Sequence, residues 1–262
     1  MSAIVLDRDV VHYEVLGRGR PIIFLHGWVG SWRYWIPVMQ AASISYRAYA
    51  LDLWGFGDTA KVAARYTLEE QESLINGFLE ELGIMRIALV GHGLGAYLAL
   101  RFARKHPDIV DRVMAISLPL NDGSLNARIR SLAPPALADW LLSRDPDTQP
   151  VRAEAPKTDP QAVISSVSAM SSESFTGLWG DCEMPCLLVH GQNDPLVTAP
   201  VSDQLASLPE KAHSILFEES GHFPMLDEDS KFNRLLTDFL SLTSGETPRD
   251  LQLKDEWKRR VR

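Results

Sequence analysis

Apolar residues in this chain fall into short unbroken runs that alternate with stretches of helical periodicity, and this rhythm predicts the elements. Residues 10–16 alternate as a strand, and Gly17-Arg18-Gly19 turns the chain. Pro21-Ile22-Ile23-Phe24-Leu25 and residues 47–53 are runs without alternation, as strands covered on both faces of a parallel sheet require. Thr67, with Glu70 three residues on, opens a helix in capping-box style that runs to about 82 and closes at Gly83. Ile87-Ala88-Leu89-Val90 is a further buried strand. It leads through Gly91-His92-Gly93-Leu94-Gly95 into a helix over 94–105 that His106-Pro107 stops. Strands over 113–117, 186–190 and 212–217 follow. Phe232, Leu235, Leu236, Phe239 and Leu240 mark the buried face of a last helix. Strands alternating with helices predict an α/β fold with a mainly parallel sheet and helices on both faces. Ligands of such sheets bind at the carboxyl ends of the strands.

The rhythm breaks after Asn121. Pro134-Pro135, Pro146, Pro150, Pro156 and Pro160 punctuate the next stretch, with helical pieces expected over 136–142 and 160–170. Roughly sixty residues between two strands is too long for a simple loop. The expected organisation is a core of 1–120 and 181–242, a small cap insertion over 121–180 and a polar tail over 243–262. The end of that tail, 249–262, carries six basic and three acidic residues and would put Leu253, Trp257 and Val261 on one helix face. A solvated end is the expectation, ahead of a membrane-surface or acidic-partner helix.

Composition closes several routes. The 262 residues suffice for one large core, and a formal net charge of −8 argues against general nucleic-acid binding. No apolar run is long enough to span a membrane, and the first ten residues do not read as a secretory signal, so a cytoplasmic location is expected. Cys182 and Cys186 are spaced neither as a redox pair nor as half a zinc site, and they read as ordinary thiols. No metal set, phosphate loop or dinucleotide fingerprint is evident, so no cofactor is expected. Oligomeric state is not legible.

The chemistry centres on Gly91-His92-Gly93-Leu94-Gly95. A strand, a glycine-flanked turn and a helix have the outline of the G-x-S-x-G nucleophile elbow, with Gly93 where the nucleophile would stand. Glycine adopts the strained elbow backbone at little cost but presents no attacking atom. His92 lies one residue earlier and should project elsewhere. Further loops of interest follow each strand: Leu25-His26-Gly27-Trp28, Asp52-Leu53-Trp54-Gly55-Phe56-Gly57, His190-Gly191-Gln192-Asn193-Asp194-Pro195 and Gly221-His222-Phe223-Pro224.

Together these five stretches, in order and at strand ends, resemble the α/β-hydrolase superfamily, specifically its small esterase, lactonase and haloperoxidase-like members. The resemblance covers nearly the whole chain outside the cap and tail. It implies an α/β-hydrolase fold and a nucleophile–acid–histidine order that maps onto the vacant Gly93, Asp194 and His222. Asp122 is a fallback acid, and His26 is expected to brace its loop. The resemblance also implies an oxyanion hole from the backbone N–H groups of Trp28 and Leu94, which a change at 93 leaves in place. Trp32, Trp140 and Trp179, with Trp35, Leu141, Leu142 and Phe175, suggest an apolar small-molecule pocket.

In an unrelated serine protease, loss of the nucleophile costs about a millionfold in turnover, so efficient acyl-enzyme chemistry is not expected here. One expectation is an enzyme on a small apolar ester, lactone or related carbonyl compound in which His222, held by Asp194, acts as a general base without a covalent step. The alternatives are a non-catalytic binder or regulator, similar to the N-myc downstream-regulated family with its elbow glycine, and an inactivated serine esterase.

Overall fold

The computed structural model describes residues 2–172, 178, 182–243 and 246–253. Phe175, Trp179, Trp257 and Val261, singled out above, lie outside the described residues, and so does the side chain of Asp122. Eight strands form one sheet: β1 (Ser2–Leu6), β2 (Asp9–Gly17), β3 (Arg20–Leu25), β4 (Tyr46–Leu51), β5 (Ile87–His92), β6 (Val110–Ile116), β7 (Cys186–Gly191) and β8 (Ala212–Phe217). Their spatial order is β1-β2-β4-β3-β5-β6-β7-β8. β1 and β2 pair antiparallel, as do β2 and β4, and every other pairing is parallel. The mainly parallel sheet expected from the chain's rhythm, and the α/β-hydrolase fold that the resemblance implies, are therefore present.

The apolar runs explain this order. β5 and β7 are buried at every position, and β3 is buried from Ile22 onward, so these strands can sit only in the middle of a sheet covered on both faces. β1 buries Ile4 alone and lies at the edge, which is why its pattern is too weak to read in advance. It turns into β2 through Asp7 and Arg8, both with positive φ.

Nine helices among the described residues surround the sheet: α1 (Ile36–Ala42), α2 (Leu68–Leu82), α3 (Leu94–Lys105), α4 (Pro134–Leu141), α5 (Gln149–Glu154), α6 (Pro160–Ser172), α7 (Ser202–Ala206), α8 (Pro224–Asp227) and α9 (Asp229–Ser241). The Thr67 hydroxyl accepts from the Glu70 N–H at 3.2 Å to start α2, and Gly83 at φ 61 ends it. α9 buries the five apolar residues that mark its face in the sequence. α1 and α5 are short, with a proline in the first turn, and neither has enough length to show a period.

The 122–172 segment is tied to the loops at the carboxyl ends of the strands. Leu125 bridges Val197, and the Asn126 N–H donates to the Leu196 carbonyl at 2.8 Å. Glu154 on α5 accepts from the Ser31 hydroxyl at 3.0 Å and pairs with Arg33 at 2.8 Å. The Asp159 N–H donates to the Gly55 carbonyl at 2.8 Å. Beyond α9 the chain turns at Pro248–Asp250 and buries Pro248 and Leu251.

Candidate active site at the carboxyl ends of the central strands

Strands β3, β5, β6, β7 and β8 are neighbours, so their carboxyl-end loops bring Trp28, Gly93, Ser117, Asp194 and His222 to one edge of the sheet. The elbow backbone is in place. Gly93 has φ 52 and ψ −111, a conformation that residues with a side chain rarely adopt. Gly95 fixes how closely the elbow meets its neighbour. A β-carbon there would lie 2.3 Å from the Leu25 carbonyl oxygen, so only glycine lets α3 start against the end of β3. The Gly95 N–H donates to the His26 carbonyl at 3.1 Å and locks that approach.

Asp194 and His222 meet. Nδ1–H of His222 donates to Oδ2 of Asp194 at 2.8 Å. The other carboxylate oxygen accepts from the N–H groups of Leu196 at 2.8 Å and Val197 at 3.0 Å. Burial pushes the Asp194 carboxyl up, but His222 and these two N–H groups together outweigh it and hold it below the usual carboxylate range. The carboxylate thus stays charged and fixes Nδ1 as the protonated nitrogen. Nε2 of His222 has no hydrogen-bond partner among the described residues.

The backbone of His222 is held as firmly as its ring. Its carbonyl accepts from Nε2–H of His92 at 2.8 Å and from the Ser117 hydroxyl at 3.1 Å. Ser117 itself has φ 47, a strained backbone at the end of β6. His92 in turn accepts at Nδ1 from the Tyr34 hydroxyl at 3.0 Å, and that hydroxyl accepts from the Gly27 N–H at 2.8 Å. One buried chain therefore links the Gly27-Trp28 loop to the His222 loop. His92 is fully buried, with its ring centroid 4.5 Å from that of His222. Tyr34 and Ser117 escape a sequence reading, because their partners lie 58 and 105 residues away.

The N–H groups of Trp28 and Leu94 have no acceptor among the described residues, whereas the neighbouring Gly27, Gly93 and Gly95 N–H groups are all engaged. His26 braces its loop: Nδ1–H donates to the Gly27 carbonyl at 2.8 Å, and Nε2 accepts from the Leu53 N–H at 3.0 Å. A cavity of about 1030 Å³ opens beside the dyad loops, lined by Tyr34, Trp140, Leu142, Asn193, Gly221 and Met225. Trp140 lines this cavity, with the Arg128 guanidinium 4.9 Å from its ring centroid. Trp32 instead packs on His12, with ring centroids 5.6 Å apart.

Among the described residues, His12, Asp52 and Asp58 have ligand-type atoms within 4.8 Å of one another. They are already engaged. Asp52 accepts from the Trp32 N–H at 2.8 Å, the Asp58 N–H at 2.9 Å and Nδ1–H of His12 at 3.1 Å, while Lys157 lies 2.9 Å from the Asp58 carboxylate. The group braces these loops.

A match to the model of the Alpha/beta hydrolase family over residues 22–235 decides the assignment. This chain belongs to the alpha/beta hydrolase family. Among similar hydrolases, the putative carbamate hydrolase RutD of Yersinia enterocolitica is 26% identical over 93% of this chain and 96% of its own length. The 2-hydroxy-6-oxo-2,4-heptadienoate hydrolase of Pseudomonas putida is 27% identical over 86% of this chain and 91% of its own length. The fold matches the enol-lactonase of Burkholderia xenovorans LB400 with a TM-score of 0.80, at 20% identity, over 92% of this chain and all of the other. No helix among the described residues is long and apolar enough to cross a membrane.

The buried imidazoles give this chain a defined response to acid. Burial, the largest influence in each case, pushes His26, His92 and His190 below the ordinary histidine value, and His222 depresses His92 further. The folded state keeps all three neutral while the unfolded chain takes up protons below about pH 6.5. The unfolded state then binds more protons, so this stability is complete above that pH and is lost as pH falls, by at most about 4 kcal/mol per pH unit. Urea midpoints measured at successive pH values should be level above neutrality and fall below pH ~6.5. A midpoint that stays level through mild acid would contradict neutral burial of these rings.

Proposed function

We propose that this chain hydrolyses a small apolar ester, lactone or related carbonyl compound by general-base catalysis, without a covalent acyl-enzyme. The observation that carries this reading is the His222–Asp194 contact of 2.8 Å beside an elbow residue with no side chain. His222 takes a proton at Nε2 from a water molecule as its oxygen bonds to the substrate carbonyl carbon. The carbonyl oxygen becomes negative and is met by the N–H groups of Trp28 and Leu94. Collapse of this intermediate breaks the bond to the leaving oxygen, which receives the proton back from His222. Asp194 keeps Nδ1 protonated and stabilises the imidazolium. Helices α4 to α6 act as a cap, and Trp140 lines the cavity beside the dyad loops.

A small carbonyl substrate is supported by the names of the similar proteins, an enol-lactonase among them. Multiple turnover of short-chain p-nitrophenyl esters or simple lactones is the expected result. A second reading, a binder of carbonyl or carboxylate compounds without turnover, has one observation in its favour: His222 is only 2% exposed. Stoichiometric binding of an intact ester with no product would establish that reading and overturn the first.

A further inference from the structure

The indole of Trp28 lies against the elbow. A β-carbon built on Gly93 would stand 3.0 Å from Cζ3 and 3.1 Å from Cε3 of that ring, closer than carbon atoms normally pack. The elbow cannot retreat, because the β-carbon test at Gly95 already shows backbone contact with the end of β3. The ring cannot easily retreat either. Its Nε1–H donates to the Ser166 hydroxyl on α6 at 3.1 Å, and that hydroxyl donates to the Val163 carbonyl at 2.9 Å. Trp28 is fully buried, and Ser166 is nearly so.

We infer that Trp28 and Gly93 are a matched pair: the indole, latched to α6 by Ser166, crowds the room that a side chain at 93 would need. Trp28 is then a specificity-determining residue. Its backbone N–H has no acceptor among the described residues, and its ring disfavours an attacking atom carried on residue 93. The pair goes beyond the general-base reading, which concerns His222 and Asp194, and its geometry stands without any turnover. It also means that serine placed at 93 alone is held out of the attacking position.

The test compares Gly93→Ser with Gly93→Ser/Trp28→Ala, using an alkyl fluorophosphonate as probe. In a competent site the serine oxygen forms a bond to phosphorus, fluoride leaves, and the serine proton passes to His222. Labelling followed by intact mass should be at least about tenfold faster in the double variant. Equal rates in the two variants would overturn the pairing. If neither is labelled, a stability cycle decides. Gly93→Ala should lower Tm by at least about 2 °C less when Trp28→Ala is also present. Strictly additive Tm losses would overturn the inference. Neither readout needs a substrate, so failure here leaves the general-base reading standing, and absence of wild-type turnover leaves the pair standing.

Discussion

His222→Ala should abolish measurable turnover, a loss of about a hundred- to ten-thousandfold relative to the wild-type chain. The base is the one group in the proposed mechanism that moves a proton, and Nε2 has no other partner among the described residues. The substitution should spare the fold around it. The residue 222 carbonyl, which His92 and Ser117 hold, belongs to the backbone and remains in the variant. The two N–H groups that anchor Asp194 remain as well. A steady-state assay on the best ester of the panel, beside a thermal melt of the same sample, reads both halves. A variant that is folded and still active would exclude His222 as the base.

The second large effect concerns stability. Asp52→Ala should lower the unfolding free energy by roughly 3–5 kcal/mol, which corresponds to a Tm about 10 °C lower in a domain of this size. Asp52 is fully buried and accepts from three donors on three separate stretches: Trp32 N–H, Asp58 N–H and His12 Nδ1–H. Its removal leaves buried donors with no acceptor and frees the loop that follows Trp28. Asp58→Ala is the internal control. It deletes an exposed pair with Lys157 but keeps its own N–H on Asp52, so it should cost no more than about 1 kcal/mol. Urea unfolding of the two variants against the wild-type chain checks the contrast. Equal small losses would mean that Asp52 is not the brace.

The parts of this molecule that were legible in the sequence are those written in local pattern. The central strands are unbroken apolar runs, and the elbow is announced by Gly91, Gly93 and Gly95 within five positions. Asp194 follows such a run and His222 follows the neighbouring strand β8, so the sheet itself brings them within 2.8 Å. What stayed hidden has no local signature. β1 is an exposed edge with one buried residue, and α1 and α5 are too short to show a period. Tyr34, Ser117 and Ser166 act through bonds that cross from 58 to 138 residues of chain. Trp28 shows the limit well. Its backbone N–H follows from its place after His26-Gly27, but nothing near it in the sequence says that its ring lies over Gly93.

A chain with a fixed base and no attacking side chain should turn over substrate without becoming acylated. Intact-mass spectrometry of the wild-type chain, sampled while it hydrolyses p-nitrophenyl acetate, tests this most directly. Unmodified protein is expected at every time point while nitrophenol accumulates. An acetylated chain that forms and decays at the rate of turnover would contradict it.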